Sequence, residues 1–129
     1  MFRMAPTLLL AAVLLPQGKW QEIGRTSTGS TVFLDPRSVR TGEGGIITAS
    51  IRARYSPPLD TPRGKVTSSR AVAMFDCATM RVATKQSVMY HDEAKGVEYS
   101  RRVIAKPGFG PALSSTFADV ALKHLCKKP

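Results

Sequence analysis

The chain is short of acidic residues, aromatics, histidine, cysteine and long apolar runs, and each shortage narrows what it can be. Nine Asp and Glu stand against 19 Lys and Arg in 129 residues, giving a net charge of +10. Such an excess favours polyanions: nucleic acid, anionic lipid or lipopolysaccharide, heparin-like sugars, or acidic protein patches. Aromatics make up 7%, and the strand phases that carry arginine hold little Tyr, Phe or Trp. That argues against the stacking platform of single-strand nucleic-acid binders. The two histidines, His91 and His124, form no HExxH pair, and there is no nucleophile elbow and no phosphate loop. The Gly42-Glu43-Gly44-Gly45 run lacks P-loop spacing and reads as a hairpin loop. No repeat, low-complexity tract or second domain interrupts the chain, whose length suits one domain.

The one apolar run, Ala5 to Leu15, is shorter than the roughly 20 residues that span a bilayer. Following the single charge of Arg3, it suits the apolar core of a signal peptide, with Pro16-Gln17-Gly18 ending it. The expectation is a leader over 1–18 and a mature domain over 19–129, exported to the periplasm or secreted. No cysteine lies near the cut, so a lipid anchor is not expected. Export in turn argues against nucleic acid as the partner.

What is present is alternation. Ile47, Ala49, Ile51, Ala53 and Tyr55 share one strand phase, and Thr48, Ser50, Arg52 and Arg54 share the other. Lys19–Ile23, Thr31–Leu34, Lys65–Asp76, Met80–Tyr90 and Val97–Ile104 read as further strands. Met80, Val82, Thr84, Gln86, Val88 and Tyr90 fall in a single phase. Asp35 followed by Pro36 predicts one helical turn. The proline-rich stretch Ser56 to Gly64 reads as a loop, because proline cannot donate in a sheet centre. Near the end, Thr116 and Asp119 have capping-box spacing, and Phe117, Val120, Ala121 and Leu125 make an apolar helical stripe. Asp119 and Lys123 can pair on its wet side, and Lys127 and Lys128 suit the negative end of the dipole. Trp20 and Tyr55 read as core or rim aromatics.

Two cysteines, Cys77 after a core strand and Cys126 at the helix end, fit one disulfide in an exported chain. Zinc held by these cysteines with His91 and His124 is the alternative. Structural zinc sites bring ligands in tight pairs, and residues two apart on a helix point about 200° apart, so His124 and Cys126 are poorly aimed.

Trp20, the element Val32-Phe33-Leu34-Asp35-Pro36-Arg37-Ser38-Val39, the strand end Tyr55-Ser56-Pro57, Phe75-Asp76-Cys77 and a helix closing on Cys126 follow one another in an order that resembles the bacterial surface-adhesin protein E family. The likeness runs from Trp20 to Cys126. It implies an exported α+β domain: an antiparallel sheet of five to six strands in meander order, backed by a C-terminal helix and tied by a disulfide. It also implies an adhesin for host matrix and plasma proteins such as vitronectin and laminin, able to dimerise. No ligand-binding residue of the family maps onto this chain.

The resulting expectation is a non-enzymatic binding domain without cofactor or metal. Its partner is a host matrix or envelope protein, or an anionic polysaccharide or lipid, held by a basic face of Arg52, Arg54, Arg70, Arg81, Lys85, Arg101 and Arg102. The alternative is a periplasmic assembly module that self-associates through an exposed strand edge. A hydrolase using His91 with Asp92 or Glu93 stands third, since a turn with those residues is more often simply solvated.

Overall fold

Alternating small apolar residues build one sheet and leave a flat seat for one helix. The computed structural model describes residues 19–127; the expected leader and Lys128 lie outside the described residues. The strands are β1 (Gln21–Arg25), β2 (Thr31–Leu34), β3 (Arg40–Thr41), β4 (Ile47–Thr61), β5 (Gly64–Asp76), β6 (Arg81–Asp92), β7 (Val97–Val103) and β8 (Gly110–Pro111), and the helix is α1 (Phe117–Leu125). They form a single sheet in the order β1-β2-β4-β5-β6-β7, with antiparallel pairing throughout. The count exceeds the expected five to six. β3 continues the β2 edge of β4, and β8 pairs with β6. These two-residue strands are too short to carry a sequence pattern.

Ala49, Ile51, Ala71, Ala73 and Phe75 line one face with Leu34, and Ala121 and Leu122 of α1 close over them. Alanines let the helix approach closely, while Phe75, fully buried, fills the centre. Leu122, only 2% exposed, is a main contact of the helix and was not in the expected stripe. Val120 lies at the side of α1, over Gly24, where a Cβ would come within 2.8 Å of its Cγ1. Thr116 caps α1 by accepting from the Asp119 N–H. The Asp119 carboxylate accepts from the Ser115 N–H at 2.8 Å, one residue earlier than the reciprocal bond of a capping box. Lys123 pairs with Asp119 at 3.2 Å.

The Asp35–Ser38 element splices into the sheet. Asp35 caps a 3-10 turn over Pro36–Ser38. Its own N–H donates to the Ser50 carbonyl, and the Ser50 N–H donates to Ser38 Oγ at 2.8 Å. A serine hydroxyl thus stands in for the backbone acceptor missing where β2 stops and β3 has not begun. Cys77 and Cys126 are bonded, joining the end of β5 to the C-cap of α1.

Two expectations are corrected. The Ser56–Gly64 segment is not simply a loop. After an excursion in which Tyr55 to Pro58 stand opposite Thr67 alone, Leu59, Asp60 and Thr61 rejoin the ladder against Val66, Lys65 and Gly64. Pro57 and Pro58 fall in the excursion and Pro62 in the turn to β5, where no ladder N–H is required. In β6 the single phase breaks. Thr84 pairs with Ala73 and Gln86 with Val72, leaving Lys85 as a bulge. Val82 and Thr84 therefore lie on the helix side, and Gln86, Val88 and Tyr90 on the open side.

Candidate functional site on the open sheet face

The face turned away from α1 carries a line of direct cross-strand neighbours. Phe33 pairs with Arg52, Arg52 with Arg70, Arg70 with Val88, and Val88 with Arg101. Strands lie about 4.8 Å apart, so three guanidinium-bearing positions sit on one rung across β4, β5 and β7. Of the seven residues expected to form a basic face, the structure brings together Arg52, Arg70 and Arg101, with Arg54 one step along β4. It separates the other three. Arg81 is paired with Asp76 at the far end of β5 and β6. Lys85 is the bulge, its carbonyl accepting from the Ile104 N–H at 2.9 Å. Arg102 pairs with Ser87 and so alternates to the other face from Arg101.

Aromatic rings do interleave with these arginines, contrary to the strand-by-strand expectation, because they come from other elements. Arg52 and Arg54 lie over the Phe33 ring at 5.1 and 5.2 Å. Arg70 lies 5.4 Å from Trp20 and 5.9 Å from Tyr90. Such contacts hold a guanidinium flat and partly dry. Trp20, just before β1, folds across β4 and β5, while Tyr55 is on the helix side with its hydroxyl 2.9 Å from Ser69 Oγ.

Glu93, in the turn after β6, was missed as anything but a solvated residue. Its side chain is 12% exposed and reaches back beneath the rung. It accepts from Arg52 Nε at 2.8 Å, from Ser68 Oγ at 2.6 Å and from Arg70 Nε. Burial pushes this carboxyl upward, but the bonds from Ser68, Arg52 and Arg70 and the Arg52 charge outweigh it and hold the group below its ordinary value. The only sequence signal for this role was a run of arginines in one phase with no acid among them. Arg101 is paired with Glu98, three residues away on the same strand. A register shift between Ser100 and Glu98 puts both on one side.

Around Arg70 and Arg101 the surface dips into a pocket of about 210 Å³. Val72 and Val88 form its floor, Trp20 and Tyr90 its walls, and Ser50 and Gln86 add uncharged polar groups. A larger cleft of about 450 Å³ lies where Tyr55, Pro57, Pro58 and Leu59 meet Phe117, and it is mainly apolar.

His91 is in β6 rather than a turn. Its Nδ1 is 2.6 Å from the Lys65 carbonyl and its ring meets Tyr99 edge-on. His124 is half-buried beside Val120 and Gly24. No group of three or more His, Cys, Asp or Glu is placed to hold a metal among the described residues. No helix among them is long and apolar enough to cross a membrane.

A family model described as surface-adhesin protein E matches residues 20–127. Sequence comparison with curated proteins returns no match. Among solved structures, crystal form II of Haemophilus influenzae protein E superposes with a TM-score of 0.54 at 13% identity, over 87% of this chain and 90% of that one. Protein E from non-typeable Haemophilus influenzae gives 0.51 at 12%, over 88% and 78%. At such identities the likeness is one of fold.

Proposed function

Because the chain belongs to the surface-adhesin protein E family, we propose that it is an exported, non-enzymatic binding protein that holds an anionic partner on its open sheet face. That partner is a matrix or envelope protein, or an acidic polysaccharide or lipid. The observation that supports this reading is the rung of Arg52, Arg70 and Arg101, flanked by aromatic rings on a face that no helix among the described residues covers. Guanidinium groups match carboxylate, sulfate and phosphate oxygens in pairs, and aromatic flanks reduce their competition with water. Export rests on the family and on the apolar leader pattern, with cleavage after Gly18.

The test spares the residues that hold Glu93. Arg54→Glu with Arg101→Glu reverses two exposed charges. Elution of this variant from immobilised heparin should move to markedly lower salt, because screened contacts between opposite charges carry the binding. Elution at the salt of the unaltered protein would refute the basic face.

A second reading is self-association. β7 ends the strand path among the described residues and exposes Val97 and Val103, at 46% and 73%. Edge strands with exposed apolar residues invite pairing with another chain. A constant, monomeric size over a concentration series would exclude it.

A further inference from the structure

We infer that the pocket between Trp20 and Tyr90 is a subsite for one anionic sugar ring, a unit of a linear acidic glycan carrying a carboxylate or sulfate. The inference rests on the proposed role of the open face and adds to it a ligand class and a position. Three features of the pocket match three features of such a ring. The floor is apolar, made by Val72 and Val88, and the rings of Trp20 and Tyr90 stand among the lining residues. A sugar ring has a C–H face that packs on surfaces of this kind. Ser50 and Gln86 stand among the lining residues as uncharged hydrogen-bonding groups for hydroxyls. Lys19, Arg70 and Arg101 supply the cations, each sharing its charge with one carboxylate of the protein: Asp35 at 3.7 Å from Lys19, Glu93 at Arg70 and Glu98 at Arg101.

Arg70 keeps a free edge. Glu93 takes its Nε, the outer pair of guanidinium nitrogens has no other hydrogen-bond partner among the described residues, and the group lies over two rings. Arg101 stands two strands from Arg70, roughly 10 Å away; its Nε and Nη2 donate to Glu98, so Nη1 is the edge it offers a ligand. The two can therefore grip anionic groups on opposite sides of one ring or on successive units. About 210 Å³ accommodates a single ring and not a folded segment. An acidic peptide offers carboxylates at the ends of slender side chains, with nothing to cover the floor. A lipid headgroup offers a phosphate without the hydroxylated ring edge.

Trp20 is the only tryptophan in the sequence, so its fluorescence reports this pocket alone. The experiment titrates the protein with a sulfated heparin-derived disaccharide, an unsulfated uronic-acid disaccharide, a neutral disaccharide, pentaglutamate and sodium sulfate, all at constant ionic strength. A saturable change with either anionic disaccharide, and none with the other three, is expected, and the stronger of the two names the substituent. Arg101→Gln should weaken that binding about tenfold, or about 1.4 kcal/mol. Tyr90→Ala should weaken it further while leaving the melting temperature of the disulfide-bonded protein near that of the parent. Response to pentaglutamate equal to that of the sugars would overturn the inference in favour of an acidic peptide. Equal response to sodium sulfate would reduce the site to an oxyanion contact and overturn it too. Silence toward both anionic disaccharides while long heparin still binds would sink the subsite and leave the basic face standing. Failure of long heparin as well would remove both.

Discussion

Replacing Glu93 by glutamine keeps the shape of the side chain and removes the one charge that three partners share. The loss can be built up from the structure. Arg52, 19% exposed, donates to Glu93 at 2.8 Å, and a hydrogen bond between charged groups this sheltered contributes about 2 kcal/mol. Ser68, buried, donates at 2.6 Å and adds about 1 kcal/mol. Arg70 is 42% exposed, so solvent screening holds its share to a few tenths of a kcal/mol. Together they predict a destabilisation of about 3 kcal/mol, a large part of a small domain's roughly 5–15 kcal/mol. Urea unfolding with the disulfide intact should show the midpoint falling by about 1–2 M at an m-value of about 1.5–3 kcal/mol/M.

A pH series checks the cause. The folded carboxyl lies below its ordinary 4.5, so its contribution is full above that value and lost as pH falls through the lowered one. The gap between the parent and Glu93→Gln should be constant near neutrality and close only on acidification below 4.5. A gap under about 0.5 kcal/mol at neutral pH, the ordinary range of surface substitutions, would refute the reasoning. So would a gap that widens in acid.

The disulfide joins residues 49 apart, and the chain-entropy estimate for such a loop is about 4 kcal/mol. Cys77→Ser with Cys126→Ser should therefore lower stability by several kcal/mol, read from chemical unfolding. Non-reducing mass analysis of the parent should find no titratable thiol. Gly24→Ala places a methyl 2.8 Å from Val120 Cγ1 and should cost about 1–3 kcal/mol by overpacking. Combining it with Val120→Ala should recover part of that loss, and a strictly additive double-mutant cycle would show that the helix does not rest there.

The long strands were legible because their chemistry is local. Ile47, Ala49, Ile51 and Ala53 alternate with polar residues, and burial follows that alternation residue by residue. The helix and the cysteine pair were legible for similar reasons, since a cap, a stripe and a count of two leave few arrangements. Leu122 escaped because Val120, nearer the edge, fits the same spacing, and only the close approach at Gly24 separates them. The candidate site was half legible. Arginine in the phase opposite the core put Arg52, Arg54 and Arg70 on one face. That Arg101 joins them while Arg81 and Lys85 do not depends on register, which no single strand encodes. Glu93 was hidden for a related reason. Its partners lie 41, 25 and 23 residues away, and nothing near it in the chain distinguishes it from Asp92. Trp20 and Phe33 sit on strands or strand ends other than those bearing the arginines, so their company with the cations is a property of the sheet.

Lys85 lets one strand present even-numbered side chains to opposite sides of the sheet. Val82 and Thr84 lie beneath the helix, and Gln86, Val88 and Tyr90 emerge into the open. Were Lys85 to fall into line opposite Val72, the upper half of the strand would invert: Val88 and Tyr90 would roll under, and Ser87 and Met89 would surface where the pocket now has its floor and one wall. Excising Lys85 would leave its neighbours' orientation as it is, giving one unbroken alternation with the same outward chemistry. The number of residues between Thr84 and Gln86 thus governs that surface more than the kind of side chain placed there.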